Sequence, residues 1–415
     1  MSSISLAGIR SQPEGLVRSQ HACQRSNCCG ERICVSGKSV TEVFIRFSPA
    51  LRDSTHSDFG AQVDDYYRCL QAMLKEAGVR PEQVVYERVF FEDLFRDADR
   101  FADVRAAAYR KLELAPGDFP GLSMLLQPPC RNHQRIESQV YAVVPHEGAA
   151  FRLQTELDPG NGATVKLLEY DGVRHLYVTN VRGWHADGNL SAEFTSQSDT
   201  MFQHCQRIVA GYGIDFRKVL RTWCYLSNME ATYDDFNRSR NRFFQQQQVS
   251  RLPASTGIEC GLWPAAAQCG IDLYAILNPE TVQVNVMQTP TLNEAADYGS
   301  SFSRGMRVDL PDRTVLFVSG TASIDENGAT VHQEDCARQI DRMLLNIQQL
   351  LQAQGASFAD IVQGMSYLKS RNDYPLYAES LDKWQLKGVP NTIVEAAVCR
   401  PDLLCEMEAI AIINR

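Results

Sequence analysis

"RMLLNIQQLLQAQGASFADIVQGMSYL", residues 342–368, holds a helix, a stop and a strand in one breath. Leu344, Ile347 and Leu351, with Ile340 just upstream, recur at the spacing of one helix face. Gly355 supplies the left-handed residue that ends such a helix. "IVQGMSYL" then reads as a short β-rich run. The same order occurs twice earlier in the chain. "AQVDDYYRCLQAMLKEAG", from Ala61, stops at Gly78 and leads to "VVYERVFF". "SDTMFQHCQRIVAGYG", from Ser198, stops at Gly213 and leads to "LRTWCYL".

Each copy continues through a polar turn into a second helix with aromatics near its end. Each then closes on an apolar run: "SQVYAVV", "IDLYAIL" and "EMEAIAI". Hairpin-like runs precede the first helix, as "RHLYVTNVRG" and "RTVLFVSGTASI", with a weaker "VTEVFIRFSP" in copy one. The repeat predicts three ββαβαβ units of an α/β (α+β) fold, over residues 35–148, 149–280 and 281–415. Pro279 and Pro290 keep the link between the second and third copies from being a helix. Residues 1–34, polar and without periodicity, are expected to form a disordered cysteine-rich tail.

Composition bounds the function. The 415 residues are 44% apolar and 22% charged, as in an ordinary globular chain. No apolar run reaches the length of a membrane span, so no membrane partner is expected. A net charge of −9 argues against a phosphate-tracking surface, so nucleic acid is not an expected partner either. The first residues lack the order of a signal peptide. Thirteen scattered cysteines, among them Cys224, Cys269, Cys399 and Cys405 in apolar surroundings, fit a reducing cytoplasm. The cluster His21, Cys23, Cys28, Cys29 and Cys34 lacks zinc-ligand spacing, and the chain has neither a phosphate loop nor H-E-x-x-H. No metal or cofactor is expected.

The chemistry concentrates in "VCRPDLLCEMEAIAI", residues 398–412. On a strand, Glu406 and Glu408 face one way and Cys405, Met407 and Ala409 the other. Two partly buried carboxylates that close repel, and one proton affinity rises toward neutrality, which suits a proton donor. The alternative is a solvent-facing edge or an ion pair with Arg400 between units. Glu408 reads as structural. Arg304 and Arg400 could each hold a carboxylate by a two-pronged contact. Cys399 has no sequence partner that would make it a nucleophile, so it reads as shaping a pocket.

"VSGTASI", "QGASFADIV", "YLK" and "EMEAIAI" together resemble the RidA/YjgF superfamily. The resemblance implies a chorismate-mutase-like fold, normally a homotrimer with sites in the clefts between subunits. Three units in one chain then imply a covalent pseudo-trimer. Residues 165–415, through "RTWCYLSNMEATYDDFNRSRNRFF", "PASTGIE", "FSRG", "TVHQED" and "VCRPDLLCEME", resemble the chorismatase branch, including its 3-hydroxybenzoate synthases.

The resemblance makes Glu406 the general acid. It puts Cys399 where 3-hydroxybenzoate-forming members carry cysteine. It points to Tyr298, Arg304 and Lys369, beside Arg400, as substrate-binding residues, and "SGTASI" adds the hydroxyl of Thr321. Two departures matter. The carboxylate-binding arginine of RidA deaminases is Asn391 here, and the first arginine of the chorismatase Y-G-P-R is missing from "YGSSFSRG". Overlaid strands place Glu137 of copy one and Ile271 of copy two opposite Glu406. One competent cleft is therefore expected, built from copy three and a neighbour.

The expected function is protonation of an enol ether, enamine or imine carboxylate, followed by hydrolysis or elimination. The partner would be a small anionic or cyclic carboxylate, with chorismate the most concrete candidate. An imine or enamine deaminase or cyclodehydratase is the alternative within enzymes. A non-catalytic ligand-binding module is the alternative outside them. Further homo-oligomerisation remains open.

Overall fold

The computed structural model describes residues 15–22, 29–48, 59–131, 134–289, 291–293 and 301–414. Three units follow one another. The first runs β1 (Leu16–Ala22), β2 (Cys29–Ser36), β3 (Val40–Ser48), α1 (Phe59–Glu76), β4 (Val84–Phe91), α2 (Leu94–Lys111), β5 (Gly121–Leu126) and β6 (Ile136–Pro145). The second runs β7 (Phe151–Leu157), β8 (Thr164–Tyr170), β9 (Val173–Arg182), α3 (Phe194–Gly211), β10 (Val219–Leu226), α4 (Met229–Gln246), β11 (Ala254–Glu259), β12 (Gly261–Leu262) and β13 (Cys269–Ile276). The third runs β14 (Gln283–Val286), β15 (Gly305–Asp309), β16 (Arg313–Ala322), α5 (Cys336–Gln352), β17 (Ile361–Leu368), α6 (Tyr374–Lys383), β18 (Asn391–Glu395) and β19 (Cys405–Asn414).

The strand orders are equivalent: β1-β2-β3-β6-β4-β5, β7-β8-β9-β13-β10-β11 and β14-β15-β16-β19-β17-β18. Setting aside the short β12, which joins the first sheet, each unit is thus βββαβαββ, two strands richer than the expected ββαβαβ. The added strands are an outer antiparallel one and a short one after the second helix. The latter, β5, β11 and β18, pairs parallel to β4, β10 and β17. Such a pairing needs a crossover, and α2, α4 and α6 provide it.

The helix stops work as the glycines suggest. Gly78, Gly213 and Gly355 sit at φ +70°, +81° and +79°. In each case the next residue's N–H reaches back across the last turn: Val79 to Leu74 O, Ile214 to Val209 O and Ala356 to Leu351 O.

Each unit packs its two helices on one sheet face, giving three separate cores around residues such as Phe101, Phe202 and Ile347. The opposite sheet faces turn inward and merge into one shared core with members from all three units, among them Tyr141, Tyr274 and Phe317. Around the axis, Tyr86, Tyr141, Tyr177 and Tyr274 pack ring against ring at 4.8–6.1 Å. The chain is a pseudo-trimer with its sheets inward.

Residues 1–34 do not form the expected tail throughout. β1 and β2 pair antiparallel, Leu16 opposite Val35, and β2 pairs in turn with β3. Leu16 and Ile33 are buried, and that apolar burial holds strands whose sequence shows no clean alternation. Cys23 and Cys28 of the cysteine cluster lie outside the described residues. Among the described residues, ten cysteines are free and no helix is long and apolar enough to cross a membrane.

Units one and three are tied by a buried ion pair. Arg313 of β16 donates to Glu42 of β3, which also accepts from Tyr141 Oη at 2.6 Å. Removing one partner leaves a buried charge uncompensated. Arg313→Met is expected to destabilise the chain by about 3–5 kcal/mol. The double variant with Glu42→Gln should recover most of that, read as the shift of the urea midpoint.

Candidate active site

The closing strands β6, β13 and β19 set the geometry of the unit boundaries. Glu406 stands opposite Tyr367, Gly270 opposite Tyr225, and Glu137 opposite Phe90. These three positions are equivalent, and so are Glu408, Asp272 and Gln139 two residues on. The overlay of Ile271 on Glu406 is therefore off by one residue; the bulge at this point lies on the neighbouring β9, where Val181 to Val178 spans Ile271 to Leu273.

The three boundaries differ. Between units one and three, Glu137 is buried and bonded by Arg46 at 2.5 Å, with Arg46 also reaching Glu31 at 2.9 Å. Chain segments close over it, Cys130 N–H donating to Ile393 O and Glu395 N–H to Pro128 O. Between units one and two, Gly270 leaves room for Arg182, whose guanidinium any side chain there would overlap. Between units two and three, Ala322 of β16 stands opposite Glu406, where β9 has Arg182 opposite Gly270. The smaller side chain leaves a cavity of about 510 Å³.

That cavity has walls from both units. Unit two contributes Tyr233, Asn237 and Arg240 of α4 and Ser255 and Gly257 of β11. Unit three contributes Phe302, Arg304, Gly320, Cys399, Arg400 and Glu406. A bulge between Val318 and Thr321 re-aims β16 at this point. It brings both Gly320 and Ala322 to the cavity, and Gly320 is required there because any side chain would collide with Glu406 Oε1.

Glu406 is 5% exposed. Burial and, second, the charge of Glu408 push its carboxyl up to about 8, against the opposing pull of Arg221 and Arg304. It is therefore protonated at neutral pH. Glu408 is held across the boundary: Arg221 Nη2 donates to its Oε2 at 2.6 Å and Trp223 Nε1 to its Oε1 at 2.8 Å. Arg221 also donates to Thr256 Oγ1 at 2.6 Å, and that oxygen accepts Gly320 N–H at 3.0 Å. Among the described residues neither Glu406 nor Glu408 forms an ion pair with Arg400; Glu408 pairs with Arg221 instead.

Arg304 and Arg400 both line the cavity. Arg304 Nε donates to Asn293 O at 2.8 Å, and Arg400 Nη1 to Gly328 O at 2.6 Å. The Cys399 thiol is pushed up to about 12, by desolvation first and by Glu406 second, which disfavours the thiolate. Lys369 is not at the cavity: its Nζ donates to Pro401 O. Thr321 is buried beside it, its hydroxyl donating to Ser319 O at 2.9 Å. Ser319 is spent likewise, accepting Ser255 N–H and donating to Ser303 O. Asn391 bonds Ser366 and Tyr377 inside unit three. Tyr298 lies outside the described residues. The α4 wall was not expected from "RTWCYLSNMEATYDDFNRSRNRFF", which carries no local signal of a cavity.

The family model described as Endoribonuclease L-PSP matches residues 173–277 and 295–413, more than half of the chain. The chain belongs to this family, the RidA/YjgF proteins. A RutC family protein of Pyrococcus abyssi is 34% identical over 97 residues, 23% of this chain and 76% of that protein. The 3-aminoacrylate deaminase RutC of Acinetobacter baylyi is 30% identical over 101 residues, 23% of this chain and 78% of its own. Each thus spans about one unit of this RidA/YjgF protein. A crystal structure of a chorismatase superposes with a TM-score of 0.61 at 16% identity, over 91% of this chain and 99% of that one. The three-unit architecture is shared with it.

The raised proton affinity of Glu406 has a stability signature. Its ordinary value lies near 4.5, so its contribution to folding is fully present below that pH and is lost as pH rises toward about 8. Glu406→Gln is expected to melt higher than the native chain at pH 8.5, with the difference vanishing toward pH 4.5, in a melting series across pH. Ala322→Arg, copying the closed boundary, should fold but take up no ligand, read by calorimetric titration.

Proposed function

We propose that this RidA/YjgF protein is an enzyme in which Glu406 protonates an electron-rich double bond of a small carboxylate, and water then adds. A neutral carboxyl at the wall of a cavity between units two and three carries this reading. A general acid must hold its proton at the working pH, and burial beside Glu408 keeps it there.

For an enol ether of the chorismate kind, the Glu406 proton goes to the terminal CH₂ carbon. The C=C pair forms the new C–H bond, and water attacks the oxygen-bearing carbon that is left cationic. The water gives up a proton to restore the Glu406 carboxyl. The resulting hemiketal breaks its C–O bond, releasing an alcohol and pyruvate. Arg304, Arg400 and the Cys399 thiol would orient the substrate beside Glu406.

Deamination is the second reading. A relative of 30% identity is a 3-aminoacrylate deaminase, and an enamine takes a proton at carbon in the same way. The burial of Asn391 inside unit three, at the position of the deaminases' arginine, favours the enol ether. Cleavage of RNA is not proposed, since the net charge of −9 opposes a polyanion. A binding module without chemistry would have no need of a carboxyl kept protonated in the cavity wall.

The test is turnover of chorismate, followed by pyruvate release, and of 3-aminoacrylate, followed by ammonia. Activity should hold below about pH 8 and fall above it. Glu406→Gln should lower kcat at least ~100-fold, the low end for general acid catalysis. A Gln variant that turns over like the native chain sinks the mechanism.

A further inference from the structure

Arg240 is the group the mechanism leaves unexplained. It stands on α4 of unit two, lines the cavity and is 3% exposed. Its Nη2 donates to Asn237 Oδ1 at 2.7 Å, while its Nε is buried with no hydrogen-bond partner. No carboxylate among the described residues forms an ion pair with it, although most buried arginines here, such as Arg46, Arg105, Arg221 and Arg313, have one. A permanent charge without a counter-charge is costly to bury, and a fold retains it at a cavity wall when something else supplies the anion.

The surroundings point the same way. Arg240 Cζ lies 5.2 Å from the Phe236 ring centroid and 6.0 Å from that of Phe302. Arg304 Cζ lies 5.6 Å from the same Phe302 ring. Two guanidiniums therefore share one ring at the unit boundary. Glu406, the nearby acid deep in the cavity, is protonated and does not neutralise them. The aromatic rings fix the guanidinium plane and keep water from it, which strengthens a contact with a planar anion.

We propose that Arg240 is a specificity-determining residue that holds a carboxylate of the substrate from the unit-two side of the cleft, across from Glu406. The inference rests on the anionic substrate of the preceding reading and adds the residue that selects it. A carboxylate would take Nε and one Nη together, the two-pronged geometry that lysine cannot reproduce. Arg304 and Arg400, whose guanidiniums also donate to Asn293 and Gly328, would orient the rest of the substrate around that anchor.

The test is calorimetric titration of the full chain with 3-hydroxybenzoate and with its neutral amide, 3-hydroxybenzamide. The native chain should bind the acid at least ~10-fold tighter than the amide. Arg240→Met should abolish that preference, and Arg240→Lys should keep part of it. Without ligand, Arg240→Met should melt at the native temperature or above, because an unpaired buried charge has been removed. An acid preference that survives in Arg240→Met overturns the proposal, as does a native chain that prefers neither probe or binds neither. A ligand-free Arg240→Met that melts far lower, or does not fold, makes Arg240 a scaffold residue and overturns it equally. Glu406→Gln separates the two ideas: turnover like the native chain would remove the general acid while leaving the Arg240-dependent acid preference in place.

Discussion

At one position of each closing strand a polar side chain leaves its own unit and is satisfied by the next. Glu408 of unit three is held by Arg221 and Trp223 of unit two. Asp272 of unit two accepts from Ser123 of unit one and lies 3.4 Å from Arg88 there. Gln139 of unit one donates to the Gly364 carbonyl of unit three. The three handovers run in one rotational sense and close a ring. Buried polar groups must find these partners, and each partner set is different, so the units can assemble in only one order. That order decides which boundary receives α4 as its wall, and so where a site can exist. It also puts the Glu408 charge two residues from Glu406, where it helps to keep that carboxyl protonated.

The three boundaries show how little separates a site from a seam. Residue for residue along the strands, the open cleft has Glu406 with Ala322, and one closed cleft has Gly270 with Arg182. Carboxylate and arginine exchange places in space: where one is present, the other has been reduced to a stub. In the remaining boundary both charges are present, Glu137 and Arg46, and they neutralise one another. A buried pair of this kind fills volume and offsets its own charges, with Glu31 as a further partner of Arg46.

Much of this was legible in the residues. The three glycine-stopped helices and the closing strands announced the repeat, because helix periodicity and a left-handed stop are local properties. Glu406 stood out because a charge inside "MEAIAI" has no local reason to be there. The strands β5, β11 and β18 were not legible: they are five or six residues long and owe their pairing to a neighbour reached through a helix. Thr321 drew notice for the hydroxyl that "SGTASI" offers, but the bulge before it turns Gly320 and Ala322 to the cavity instead. Lys369 follows its strand but folds back to the Pro401 carbonyl, a contact set by the loop. Arg240 escaped because "NRSRNRFF" looks like the solvated face of a helix. Only the packing of units two and three buries it.

The short strand β12 belongs by sequence to unit two, yet it pairs with β5 at the edge of the first sheet, Gly261 opposite Leu126. Trp263, just after it, packs on the core of unit one. The repeat in the sequence and the joints in the molecule therefore do not coincide. A cut drawn at the repeat boundary would strip unit one of its edge strand and leave backbone groups of β5 without partners. The three units make a single object, woven at its seam, in which the first unit buttresses a cleft it does not line.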